Sequence, residues 1–140
     1  RKLGGAMHRV DSRVFEIMFG YNDLYVFFRV DFEKERNLAS DLRSVQIELN
    51  CGVRLIVAIT REGAKLRHIE ELDNFKDTTS RWDQVLEVAI PRSVLRFEED
   101  KHLYFAVSLI DGQKVVERWP EANYITVELP KPGDSFFWQV

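Results

Sequence analysis

The 140 residues include one cysteine, two methionines, seven glycines and four prolines. A lone cysteine, Cys51, closes no internal disulfide. That excludes a small scaffold held by bridges, leaves the compartment open, and makes a small apolar role for Cys51 the commoner one over a reactive thiol. So little glycine and proline argues against a linker-like, collagen-like or disordered chain. Charge of one sign is also missing: 20 Lys and Arg against 23 Asp and Glu leave a net charge of −3. A nucleic-acid partner normally leaves a cationic footprint, so none is expected. No apolar run approaches the roughly 18 residues of a membrane-crossing helix, and no membrane partner is expected. The opening Arg1-Lys2-Leu3-Gly4-Gly5 lacks both the apolar core of a signal peptide and an initiator Met. The chain is therefore expected to be a piece of something longer.

What is abundant is apolar and aromatic: 45% of residues are hydrophobic, with 10 Phe, 4 Tyr and 3 Trp. A chain of this size buries about two-thirds of its unfolded surface, enough for one core, so residues 1–140 are read as one domain. The dominant pattern has a period of two. In Leu24–Glu33 the even positions Leu24, Val26, Phe28, Val30 and Phe32 are apolar, while the odd face runs Tyr25, Phe27, Arg29, Asp31, Glu33 and becomes polar. Arg13–Phe19 places Phe15, Ile17 and Phe19 on one side, and Gly20-Tyr21-Asn22-Asp23 supplies the turn between these strands. Val45/Ile47/Leu49 and Val53/Leu55/Val57/Ile59 alternate about Asn50-Cys51-Gly52 as a second hairpin. Strands are also expected over Val85–Ile90, Leu103–Ile110 and Tyr124–Leu129, with a hairpin turn at Asp111-Gly112 and a closing strand in Phe136–Val140.

Helical signal is scarce. Pro91 suits the first position of one short turn running to Leu95. Arg61–Asp73 reads equally as helix, through Leu66, Ile69 and Leu72, or as an extended excursion. Turn-separated strands without long helices give an all-β, antiparallel sandwich of immunoglobulin-like or jelly-roll type. Phe28, Val30, Leu55, Val57, Leu86, Val88, Phe105 and Val107 are its expected core.

Catalytic motifs are few. His8, His68 and His102 are far apart, no paired-ligand spacing exists, and one cysteine builds no structural zinc site. No glycine-rich loop opens a helix, and no serine sits in a Gly-x-Ser-x-Gly elbow. The chain itself is therefore expected to be noncatalytic and to carry no cofactor. Asp31, Glu33 and Glu35 share a parity and would project from one strand face about 7 Å apart, so they are the candidate calcium ligands. Arg29 on that face offers them an ordinary salt partner. Trp82, Trp119, Tyr124 and Trp138 each carry a broad apolar ring with a polar handle, suited to stacking on sugar as well as to burial. Proline cannot donate to a ladder, so the strand carrying Glu117-Arg118-Trp119-Pro120 must end or lie at an edge there. Glu117 and Arg118 beside Trp119, and Arg81 and Asp83 beside Trp82, are the candidate hydrogen-bonding groups for saccharide. The alternative is that Trp119 caps the core while Glu117 and Arg118 pair at the surface.

Gly4-Gly5-Ala6-Met7-His8-Arg9, then Phe19-Gly20-Tyr21 leading into Leu24-Tyr25-Val26-Phe27-Phe28-Arg29-Val30-Asp31, resembles the C-terminal β-sandwich of glycoside hydrolase family 57 enzymes. Leu86–Pro91 with Leu95, Leu103-Tyr104-Phe105, Glu117–Pro120 and Tyr124-Ile125 running to Pro130 extend the likeness over nearly the whole chain. It is also similar to DOMON-like and family 9 carbohydrate-binding sandwiches. The resemblance implies an accessory domain whose partners are a catalytic barrel of the same polypeptide and α-glucan oligosaccharides, the hydrolytic carboxylates belonging to that barrel. The alternative is a free-standing, DOMON-like binding or interaction module. For a haem-carrying version, Met7, Met18, His8, His68 and His102 supply residue types, but no spacing selects a pair.

Overall fold

The computed structural model describes residues 14–33, 44–67, 73–96, 101–130 and 137–139. Within them lie β1 (Val14–Tyr21), β2 (Tyr25–Phe32), β3 (Ser44–Asn50), β4 (Arg54–Thr60), β5 (Gly63–Leu66), β6 (Thr79–Trp82), β7 (Val85–Pro91), β8 (His102–Asp111), β9 (Lys114–Trp119), β10 (Ile125–Glu128) and β11 (Phe137–Gln139). They form two antiparallel sheets, one ordered β11-β1-β2-β7-β6 and one ordered β10-β8-β3-β4-β5, with β9 also paired to β8. The chain is an all-β sandwich.

Strict alternation decides which residues go inside. In β2 and β3 every second residue is buried, and the two inner faces meet through Phe19, Phe28 and Phe105. These rings lie 5.0–5.6 Å apart between centroids, the range in which aromatic pairs attract beyond their buried area. Phe105 comes from the six-stranded sheet and the other two from the five-stranded one. All eight expected core residues are at most 3% exposed. Leu24 is the exception to its strand's pattern. It is 69% exposed because it sits in the turn before β2, where the Asn22 carboxamide accepts hydrogen bonds from the Leu24 and Tyr25 amides at 2.9 and 2.8 Å.

The β3–β4 turn requires its glycine. Gly52 has φ +68°, and a Cβ there would meet the Arg96 carbonyl oxygen at 2.5 Å. Gly112, φ +65°, turns β8 into β9 as the Asp111-Gly112 signal indicates. The expected helical turn is a single 3-10 turn, Arg92–Val94, which starts after Pro91 has ended β7. The ambiguous Arg61–Asp73 stretch holds the short strand β5 and leads into a 3-10 turn, Asp73–Asp77. Ile69 and Leu72 lie outside the described residues.

β9 and β10 share one edge of β8. β9 pairs with Val107–Asp111 and β10 with His102–Phe105, so they are two halves of one strand interrupted by Pro120–Tyr124. A β-bulge in β9, between the partners of Leu109 and Ile110, resets its parity. Val115 faces out opposite Ile110, while Glu117 and Trp119 face in opposite Leu109 and Val107.

Truncating Phe105 to Ala removes the ring that joins the sheets and is expected to cost about 3–5 kcal/mol. Urea denaturation followed by tryptophan fluorescence checks this. With a slope of about 1–3 kcal/mol per molar, the midpoint falls by about 1 M or more, and an unchanged midpoint places the ring outside the core.

Candidate functional site

The sequence-derived saccharide candidates Trp82, Trp119, Tyr124, Arg81, Asp83, Glu117 and Arg118 do not gather at one place, and the Trp138 side chain lies outside what the structure describes. Trp119 is 4% exposed and Glu117 is also 4% exposed, both inside the sandwich. The Trp119 indole Nε1 donates to Glu117 Oε2, and the backbone amide of Val14 in the opposite sheet donates to the same oxygen at 3.4 Å. Trp119 therefore packs into the core, as the alternative reading expects, and offers no exposed platform, while Glu117 is buried with it instead of pairing with Arg118 at the surface. The bulge turns Glu117 and Trp119 inward, and Arg118 lies on the other face. A buried carboxylate of this kind satisfies donors that would otherwise each cost about 1–3 kcal/mol.

Arg118 and Tyr124 belong to the outer face of the six-stranded sheet. Arg118 donates through Nη1 to the Pro120 carbonyl at 2.7 Å and through Nη2 to the Asn123 carbonyl at 2.8 Å. Its guanidinium also lies 5.2 Å from the Tyr124 ring centroid. The Tyr124 hydroxyl donates to Glu48 Oε2 at 2.6 Å, and Arg54 Nε donates to the same oxygen at 3.0 Å. This network bridges the gap between β9 and β10. Burial disfavours the charged form of Glu48, but the hydrogen bonds from Tyr124 and Arg54 outweigh it and hold the carboxyl below its ordinary 4.5. The bond to Glu48 pushes Tyr124 above its ordinary 10.0.

Trp82 is 7% exposed. Its indole stacks on Phe32 at 5.9 Å with an interplanar angle of 13°, and the Arg61 guanidinium covers it at 4.3 Å. Its Nε1 has no hydrogen-bond partner among the described residues. Arg81, the next residue back on β6, points the other way and bonds Asp83 at 3.1 Å in the open. Among the calcium candidates, Asp31 is bonded to Arg29 at 2.7 Å, Glu33 is half-buried, and Glu35 lies outside the described residues. No group of three His, Cys, Asp or Glu is placed to hold a metal ion among the described residues. Met18 and His102, the haem-type residues that are described, lie on β1 and β8 in different sheets. Met7, His8 and His68 lie outside the described residues.

The feature missed in the sequence is a groove of about 410 Å³ on the outer face of the five-stranded sheet, within the usual range for small-ligand sites. Its floor is a cross-strand row, Phe27 on β2, Ala89 on β7 and Thr79 on β6, and its wall is the next row, Arg29, Glu87 and Arg81. Ala89 deepens the groove because its methyl group stands between the longer Phe27 and Glu87 side chains. The Phe27 ring is half-buried and leans against Tyr25 at 6.0 Å. The hydrogen bond and charge of Asp31 push Arg29 above its ordinary pKa, and two of its donors, Nε and Nη2, bond that carboxylate. A signal was present in the odd face of Leu24–Glu33, where Tyr25 and Phe27 are aromatics on the side that turns polar. Arg81 alone of the described saccharide candidates lines this groove. No family model, curated protein or solved structure matches the chain.

Two outcomes follow from the geometry. Glu117→Ala leaves the Trp119 and Val14 donors without this acceptor and is expected to destabilise the fold by about 2–4 kcal/mol, whereas Glu117→Gln keeps an acceptor and costs less. Thermal melts of both variants check the order. The second concerns pH. A depressed folded-state value makes the contribution of Glu48 present above 4.5 and lost as the pH falls through its folded value. A raised one makes that of Tyr124 present below 10.0 and lost as the pH rises through its folded value. The melting-temperature difference between wild type and Tyr124→Phe is therefore expected to be level between about pH 5 and 9 and to shrink on both sides.

Proposed function

We propose that the chain is a noncatalytic, saccharide-binding accessory module of an α-glucan-processing enzyme of the glycoside hydrolase family 57 type. Its partners are α-glucan chains and the catalytic barrel of its own polypeptide. The family assignment rests on the sequence resemblance. The observation that carries the binding role is the groove, in which the Phe27 ring lies beside guanidinium and carboxylate groups. Pyranose rings present an apolar C–H face and a rim of hydroxyls, and such a surface matches both. In this reading the module holds polymer near the barrel and raises the local concentration of chain at the active site, as any tethered second binding site does.

Native electrophoresis through gels containing glycogen or amylose tests the reading. The purified chain is expected to be retarded by these polymers and to release no reducing sugar from them. Unretarded migration removes the binding role. Release of reducing sugar that a point change within the chain abolishes removes the noncatalytic one.

A further inference from the structure

We propose that the Phe27–Ala89–Thr79 groove is a seat for a neutral pyranose segment about two rings long, lying across β2, β7 and β6. This rests on the binding half of the reading above and adds where the sugar sits, how much of it, and why it is uncharged. Phe27 is the stacking platform. The row Arg29–Glu87–Arg81 supplies the groups that bond hydroxyls.

The length follows from strand spacing. Phe27, Ala89 and Thr79 are consecutive cross-strand neighbours, and two interstrand steps span roughly 10 Å, the reach of a disaccharide. The charge preference follows from the pairs. Arg29 is bonded to Asp31 at 2.7 Å and Arg81 to Asp83 at 3.1 Å, and Glu87 stands between the two arginines in register. Two guanidinium groups thus face three carboxylates. A phosphate or sulfate would lie among Asp31, Asp83 and Glu87, three carboxylates that two guanidinium groups do not offset. A hydroxyl can donate to the carboxylates and accept from the guanidinium groups at once without breaking either pair. The chemistry of the wall therefore selects a polyhydroxylated, uncharged ligand over an anion. The floor selects a ring with an apolar face.

Isothermal titration with maltose, maltotriose and cellotriose tests this on the whole chain. Maltotriose or cellotriose is expected to bind saturably, with an affinity that changes less than about twofold between 50 mM and 500 mM NaCl, since no ion pair forms or breaks. Phe27→Ala and Ala89→Leu, the first removing the platform and the second filling the floor, are each expected to weaken binding by about tenfold or more. Arg81→Ala, an 80% exposed side chain, weakens it several-fold without changing the melting temperature, so it reports on the groove even if Phe27→Ala melts early. Leu24→Ala, outside the groove, leaves the affinity unchanged. Saturable binding that survives Phe27→Ala, Ala89→Leu and Arg81→Ala overturns this seat and leaves the binding role standing. Binding abolished at 500 mM NaCl overturns the neutral-ligand assignment. Absence of saturable binding by any of the three sugars at millimolar concentration overturns the seat and the binding role together.

Discussion

Everything the two faces of this molecule present depends on the contact among Phe19, Phe28 and Phe105. Phe105 projects from the six-stranded sheet into the other two rings, within 5.0–5.6 Å of both, so the inner parity of β1, β2 and β8 is fixed at one point. Side chains alternate along a strand, so fixing one residue inward fixes its neighbours outward. Phe28 inside puts Phe27 and Arg29 outside. Their cross-strand partners Ala89, Glu87, Thr79 and Arg81 follow through the β2–β7–β6 register. The groove is the outer imprint of the core.

The one place where simple alternation fails is β9, and its failure is informative. Without the bulge, Val115, Glu117 and Trp119 would share a face. With it, Val115 stays outside and the other two enter. Trp119 gains burial against the core, and its indole N–H needs an acceptor there. Glu117, two residues away on the same side, provides it and bonds β1 across the sandwich as well. The strand then breaks at Pro120, and the gap over β8 is filled by Tyr124, held by Arg118 and Glu48. A sequence motif that reads as an exposed binding patch is thus divided into a buried rivet and a surface latch.

Legibility in the sequence tracks this difference. The long strands and the core were readable because Val, Ile, Leu and Phe at every second position leave little choice of face, and the turns at Asn22, Gly52 and Gly112 carry their own chemistry. The edge strand β6, Thr79–Trp82, was not readable. It has four residues and three of them are polar, so it has no alternation to detect, and its strand character comes from pairing with β7. The bulge was equally hidden, since an extra residue in a ladder has no signature in Lys114-Val115-Val116-Glu117. Of the groove, only Arg81 and the aromatics on the odd face of β2 were visible. A depression at Ala89 between Phe27 and Thr79 exists only once β2 is laid beside the β6–β7 hairpin, far along the chain from it.

The central claim is that the outer face of the five-stranded sheet, and no other described surface, is where this module meets its ligand. Backbone amide chemical shifts of the isotope-labelled chain during a maltotriose titration test it most directly. Progressive shifts are expected to be confined to Phe27, Arg29, Thr79, Arg81, Glu87 and Ala89 and their strand neighbours, with the amides of Glu48, Glu117, Trp119 and Tyr124 unmoved. Shifts centred on Tyr124 and Arg118, with the groove silent, would contradict it.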